Sequence, residues 1–378
     1  MNILRSLPLI VSAYLFPFST TADTINTDEH TINITTVASG LDHPWSLVFL
    51  PGGNMLVTER NGGLKRISPS GDTADIDISL PGLKARGQGG ILGLAIAPDY
   101  PTSKQIYIAY SQHEKNKSGT SVAKATLNEN TLTDTQVIFA MAPKVAGTRH
   151  YGSRLLIKDG YLYISLGDRG QRDRAQKLSD HLGTMIKLNL DGSVPNDNPF
   201  YSKQDAKSDI YSFGHRNIQG LTLSNDGTTI WAHEHGPQGG DELNVVSSGL
   251  NYGWPEITYG VNYVTGSKIG VGTKKDGLVQ PIHYWVPSIA PSGLTMVKGK
   301  VFEHWHGDLL LGSLKFGQLV RLKLSEEKVI HEERMLDGKY GRIRDVAEGP
   351  DGAIYLLTDA NNGKILRLSP IQTSNKGS

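Results

Sequence analysis

Cysteine is absent from the 378 residues, which removes disulfides and thiolate metal ligation from the means available to this chain. An excess of one charge is also absent. Thirty-eight Lys and Arg stand against 37 Asp and Glu, for a formal net charge of +1. The chain as a whole therefore offers no basic field for nucleic acid or an anionic membrane. Long apolar runs are confined to residues 7–18, interrupted by Pro8 and Pro17, a stretch too short to span a bilayer. One positive charge precedes it in residues 1–5, and Thr20 and Ala22 follow like a T-x-A cleavage site before Asp23. The pattern predicts a signal peptide over residues 1–22, no membrane insertion, and a periplasmic mature protein. Amphipathic helices are nearly missing; residues 172–181 carry one short candidate. No G-x-G-x-x-G follows a strand-helix pattern, which argues against a nicotinamide cofactor.

What is present is a repeat. An apolar strand, a Gly/Asp/Asn turn and a second apolar strand recur as SLVFLPGGNMLVTER from Ser46 and LGLAIAPDYPTSKQIYIAYS from Leu92. They return as RLLIKDGYLYISLGD from Arg154, GLTLSNDGTTIWAHEHG from Gly220 and RDVAEGPDGAIYLLTD from Arg344, with a weaker copy from Gly293 to Leu322. Each copy alternates with period two around tight-turn dipeptides. A third strand often follows, as in GGLKRIS at Gly62 and GKILRLS at Gly363. Six copies with 43 glycines predict an all-β fold, a six-bladed β-propeller of four-stranded antiparallel sheets. No linker divides residues 32–370, which are expected to form one domain. Residues 24–31 and the tail 371–378 are polar and expected to be mobile. Residues 259–277 read as a glycine-rich insertion between strands.

Loops on one face of a propeller converge, so residues far apart in sequence can meet. Gln88, His150, Asp168, Arg216 with Asn217, Lys315, and Arg342 with Arg344 fall at comparable places in successive repeats. The densest segment is residues 213–255, with Arg216, His235, Asp241 and Glu242 among glycines and tyrosines. Acidic and carbonyl oxygens suit a hard cation such as calcium. The neighbouring Arg, His and Asn suit an anionic, oxygen-rich ligand. Read alone, Asp241 and Glu242 are more simply turn acids, and Arg342 and Arg344 a solvated strand face. His233 and His235 have the spacing of a metal pair on one strand face, but no further ligands accompany them, which argues against zinc.

In order along the chain, RGQGGILGLAIAPDY, HYGSRL, SLGDRG, GHRNIQGL, EHGPQGGDELN, NYGWP, GSLK and GRIRDVAEGPDG resemble the soluble PQQ-dependent sugar dehydrogenases. The likeness is greatest to the shorter aldose sugar dehydrogenase branch, from about residue 40 to 368. The family's fold is a six-bladed propeller, in agreement with the repeat count. The resemblance implies oxidation of an aldose at C1 to the lactone, hydride passing to PQQ, with His150 as general base and Asp168 orienting it. It implies that Gln88 contacts cofactor and substrate, and that Arg216 and Asn217 bind the quinone region. Lys315, Arg342 and Arg344 match the cations around the PQQ carboxylates; Ser313, Leu314 and Tyr263 would line the same pocket. Calcium at the cofactor would be held by the Gly236 and Pro237 carbonyls. A second, structural calcium would use the Glu242 carboxylate and the Tyr252 carbonyl. Trp285 or Tyr284 would offer an apolar face to the sugar. Reduced PQQ implies an electron acceptor, which the sequence leaves unidentified. Loops shorter than those of the glucose-oxidising branch leave aldose preference open, along with the choice between a monomer and a weak dimer.

Two other functions fit a propeller: a calcium-dependent lactonase, and a binding module without catalysis. A lactonase needs an open metal site with several side-chain ligands and has no use for the cations Arg216, Lys315, Arg342 and Arg344. A binding module has no use for His150 together with Gln88, Arg216 and Lys315.

Overall fold

A computed structural model describes residues 23–371 as six antiparallel sheets arranged in a ring. The expected signal peptide and residues 372–378 of the expected tail lie outside the described residues. The innermost strands are Pro44–Phe49, Ile91–Ile96, Leu155–Lys158, Ile218–Leu223, Pro291–Met296 and Ile343–Glu348. Each opens a blade, and in the first five the later strands pair outward in sequence order. The six sequence repeats cover the first two strands of the six blades, the weaker copy running on into the third, Leu319–Ser325. Among the described residues, helix is limited to Tyr100–Ser103 and two 3-10 turns, Arg172–Gln176 and Glu303–Trp305. The helix expected over 172–181 stops at Gln176. Lys177 is extended, and the Asp180 carboxylate pulls the chain back to accept Arg174 Nε at 2.8 Å and Leu182 N at 3.1 Å.

The sixth blade is closed from both directions of the chain. Strand Thr31–Leu41 pairs with Gly363–Pro370, and Asp23–Asn26 adds a fifth strand outside it. Residues 24–31, expected to be mobile, are instead a hairpin. Thr27 Oγ1 bonds the His30 carbonyl at 2.8 Å, and four residue pairs tie Asp23–Asn26 to Thr31–Ile34.

The core is not a single interior but six interfaces between neighbouring sheets. Period-two alternation sends Leu56 toward the second blade and Met55 and Val57 toward the sixth. Likewise Leu310 faces the sixth blade, while Leu309 and Leu311 face the fourth. Because both faces of a sheet are covered, the second strand of a blade reads as continuously apolar rather than alternating. Leu56, Val57, Leu310 and Leu311 are all 0 % exposed. Truncating any one to Ala costs about 2–5 kcal/mol.

Candidate active site

The loops leading into the inner strands and those leaving the second strands share one end of the ring, and there the singled-out residues gather. His150 has a left-handed backbone, φ 54°, which swings its ring back toward the loop after the third blade's second strand. Its Nδ1 lies 2.6 Å from Asp168 Oδ1. That oxygen also accepts Gly170 N at 2.7 Å, and Oδ2 accepts Trp254 Nε1 at 2.8 Å. Gln88 Oε1 accepts the His150 backbone N–H at 2.7 Å. Gly167 allows the approach, since a Cβ there would stand 2.1 Å from the His150 carbonyl oxygen.

This geometry sets the proton inventory. Burial works to raise the Asp168 pKa, but His150, Arg216 and the Gly170 N–H outweigh it and hold the acid below the usual carboxylate range. An ionised Asp168 only accepts, so His150 Nδ1 donates to it, and Nε2 carries the lone pair. No hydrogen bond among the described residues reaches Nε2. Burial is also the main reason the His150 pKa falls below the ordinary imidazole value, partly offset by Asp168. The ring is therefore neutral at pH 7, with its basic nitrogen free.

Beside it is a cavity of about 150 Å³. Of the expected residues, Gln88, Asn217, Leu314, Arg342 and Arg344 line it. His150 is not in its wall but at its margin, bridged by Gln88 and by its neighbours Tyr151 and Gly152, which are. Arg344 Nη2 bonds Asp359 Oδ2 at 2.8 Å, Arg342 Nε reaches the same oxygen at 3.4 Å, and His43 Nδ1 holds Oδ1 at 2.7 Å. Arg344 is the extra residue of a bulge between Ile343 and Asp345, yet it and Arg342 both reach this chamber. Arg342 is half exposed and Arg344 buried.

The floor is a buried arginine. Arg154 donates to the Gln219 carbonyl at 2.6 Å and the Arg344 carbonyl at 3.2 Å, and pairs with Asp345 at 2.8 Å. Its guanidinium lies 4.2 Å from the Trp45 ring centroid. Trp45, Gln219 and Arg344 line the chamber above, whereas Arg154 and Asp345 line a channel of about 400 Å³ that opens at the other end of the ring. The axis is blocked between them.

A second, smaller pocket holds Arg216, Gly236, Glu242 and Tyr252 with Glu234. Arg216 Nη1 donates to the His235 carbonyl at 2.9 Å, and its backbone N–H to Glu234. Glu234 also takes His215 Nδ1 at 3.0 Å. Glu242 has one donor among the described residues, Asn244 Nδ2 at a long 3.4 Å. Burial and the charge of Glu234 push its pKa well above the carboxylate range. No hydrogen bond among the described residues reaches the Tyr252 carbonyl. The under-satisfied Glu242 carboxylate and the free Tyr252 carbonyl are oxygen donors that fit calcium, whereas the Glu234 oxygens are used by His215 and the Arg216 and Asn217 N–H groups. Asp241 does not join them. Its oxygens are used by Gly236 N at 2.8 Å, Ser288 Oγ at 2.9 Å and Ala290 N at 2.8 Å, which anchors the 236–240 loop. Among the described residues, no three His, Cys, Asp or Glu side chains group as metal ligands, so any cation here leans on backbone oxygens.

The remaining expected residues are more scattered. Lys315 is exposed, and Ser313 is buried with its Oγ committed to the Ile289 carbonyl at 2.7 Å. Tyr263 is 60 % exposed, its hydroxyl donating to the Pro237 carbonyl at 3.0 Å, so the 259–277 insertion folds over the 236–240 loop. Trp285 cannot face a sugar: it is 3 % exposed, with Nε1 bonded to Glu332 at 2.9 Å. Tyr284 remains exposed, stacked on Tyr259 at 3.8 Å between centroids. Sequence reasoning passed over Asp359, Trp254, the Arg154 floor and Arg60, which also lines the chamber. One signal for Asp359 was available, because YLLTD ends the sixth repeat's second strand where SLGD ends the third's.

The sequence profile describing the Glucose / Sorbosone dehydrogenase family matches residues 41–367. The chain is 37 % identical to the aldose sugar dehydrogenase of Escherichia coli (strain K12) over 366 residues, 95 % of this chain and 98 % of that protein. It is 29 % identical to quinoprotein glucose dehydrogenase B of Acinetobacter calcoaceticus, covering 85 % and 84 %. The solved PQQ-bound aldose sugar dehydrogenase of Streptomyces coelicolor superposes with a TM-score of 0.74 at 28 % identity, covering 89 % and 98 %. With its six blades and this profile match, the chain belongs to the glucose/sorbosone dehydrogenase family of oxidoreductases.

Proposed function

We propose that the protein oxidises aldose sugars at C1 to the lactone, with PQQ and calcium as cofactors and His150 as the base. One observation carries this reading: a neutral imidazole, fixed through Nδ1 by a buried ionised carboxylate, keeps Nε2 free at the margin of a chamber lined by three arginines, Arg60, Arg342 and Arg344. The relatives named as aldose sugar dehydrogenases and the PQQ-bound neighbour support it.

The residues fit the cofactor. Arg342 and Arg344 supply charge for carboxylates, Asn217 and Gln88 supply amide contacts, and Leu314 and Trp45 supply apolar walls. When bound, PQQ would supply a two-electron oxidant for the C1 hydride, and calcium held by the Gly236 and Pro237 carbonyls would serve as Lewis acid. The chain's own part is proton handling and placement. Nε2 takes the C1 hydroxyl proton, and Asp168 stabilises the imidazolium that results. Arg216, buried beside Trp254, offers positive charge where negative charge grows. The Glu242 and Tyr252 pair would hold a structural calcium that relieves the repulsion between Glu234 and Glu242.

The test is dye-linked oxidation of a panel of aldoses, with and without added PQQ and calcium. Turnover that requires both is the expected result. Tight PQQ binding without oxidation of any sugar would move the substrate elsewhere, and no PQQ binding would end the reading.

A further inference from the structure

The near-zero net charge conceals an uneven distribution. Three loops of the second blade meet at the mouth: residues 80–90, 113–118 and 142–150. His113 N bonds the Gly82 carbonyl at 2.8 Å, Ser118 N bonds the Val145 carbonyl at 2.8 Å, and Gln88 N bonds the Thr148 carbonyl at 2.8 Å. Beneath them lies the buried Arg169, 3.6 Å from the Tyr151 ring centroid, donating to the Gly147 carbonyl and Ser118 Oγ at 2.8 Å each. The three loops are therefore one firm platform. It presents Lys84, Arg86, Lys115, Lys117, Lys144 and Arg149, with Glu114 the one acid on these loops, 4.0 Å from Lys144. All but Lys144 are exposed. The platform borders the site through the chain itself, since Arg86 precedes Gln88 by two residues and Arg149 adjoins His150. Across the mouth the insertion exposes Tyr263 and Val264 at 60 % and 102 %, and Val286, just past the strand His283–Trp285, is 62 % exposed.

We propose that this cationic platform is the dock for the electron acceptor, and that the acceptor is a one-electron carrier protein with an acidic face. The inference rests on the sugar-oxidation reading above and names the partner that reading requires. A patch spread over three loops, without an enclosing cavity, suits a complementary protein face better than a small anion. Its cations act mainly by steering encounter and orienting the partner over the mouth. The balance is simple. The reduced cofactor gives up two electrons and two protons; two acceptor molecules, docking in turn, each take one electron, and the protons pass to water.

The experiment uses the PQQ- and calcium-loaded protein with an aldose and three acceptors: a neutral dye, an acidic b-type cytochrome and a basic c-type cytochrome. The variant is Lys84→Glu/Lys115→Glu/Lys117→Glu. We expect kcat/KM for the acidic cytochrome to fall at least about tenfold in the variant and to lose most of its salt dependence. The basic cytochrome should gain, and the dye should be unaffected. Binding of the acidic cytochrome to the cofactor-free protein at low salt, followed by anisotropy, should weaken in parallel. Equal kinetics with the acidic cytochrome before and after charge reversal would overturn the dock. So would a parallel loss with the dye, or unaltered binding in the anisotropy assay. Failure of the unaltered protein to oxidise any aldose with the dye would instead overturn the functional reading, and the acceptor dock with it.

Discussion

Two carboxylates in this molecule are held by the same pair of donors, a histidine ring nitrogen and a tryptophan Nε1. Asp168 takes His150 and Trp254 at the mouth; Glu332 takes His283 and Trp285, both at 2.9 Å, where the outer strands of the fourth and fifth blades meet. Neither triad is a site by virtue of its composition. What separates them is surroundings. Asp168 is 1 % exposed, and its histidine stands in a left-handed turn beside a cation-walled chamber. Glu332 is partly exposed on a strand, and its third donor is Arg334 of the same strand at 2.6 Å. The second triad fastens two blades; the first holds a base with its free nitrogen at a cavity. Glu242 is the contrasting case, a carboxylate whose one donor is distant.

The largest effect that separates the two triads is loss of the histidine. His150→Ala should reduce dye-linked turnover by about two orders of magnitude or more while PQQ affinity stays nearly intact; His283→Ala should leave turnover unchanged. A parallel loss of cofactor affinity in His150→Ala would make it a binding residue.

Asp168→Asn comes next. The amide leaves one donor facing Trp254 Nε1 or Gly170 N and removes the charge that supports imidazolium. We expect turnover to fall at least about tenfold. The base works when neutral, so kcat/KM falls as pH drops through the His150 pKa. Without the carboxylate that pKa falls further, and the acid limb of the profile should move to lower pH. An unmoved limb would detach Asp168 from the base.

Glu242→Gln should act in the opposite sense to ordinary core substitutions. Removing a repelled carboxylate should raise the midpoint of thermal unfolding of the cofactor-free protein by a few degrees, for roughly 1 kcal/mol. It should also abolish the rise that calcium gives the unaltered protein. A retained calcium response would move the cation elsewhere.

The smallest effect belongs to Glu332. Burial would raise its pKa, but His283, Arg334 and Trp285 bring it down to about 2. A depressed acid stabilises the fold above its unfolded value and loses that contribution as pH falls through the folded one. Glu332→Gln should thus cost about 1 kcal/mol or less at neutral pH, given solvent screening, and most of that cost should be gone near pH 2. Denaturant titrations at the two pH values decide it.

The blades were legible because each is local. Turn dipeptides and period-two alternation identify two strands at a time, and six copies make the ring. The contacts across the axis were not legible. Arg154 and Asp345 read as ordinary strand charges, and only the convergence of inner strands from different blades turns them into a buried pair. Trp285 failed for a related reason: an aromatic at a strand end looks like a rim residue until the neighbouring blade covers it. Arg342 and Arg344 reached one chamber although the strand bulges at Arg344, so the spacing alone was a weak guide. The hairpin at residues 23–34 was missed because polar composition says nothing about an edge waiting for a partner.

That edge has a consequence for how the ring comes together. Five sheets are each complete within a short stretch of chain, but the sixth needs Thr31–Leu41 to find Gly363–Pro370 from the other extreme of the fold. Contacts of such sequence separation form late and slow the search. Until they do, the strand 31–41 is an open template for another chain. Breaking the chain instead at the turn before Met55 and joining the two distant strands through a short loop would make the sixth blade as local as the rest. The burden of closure would then pass to the first blade. A propeller can choose where its seam lies, but it cannot be without one.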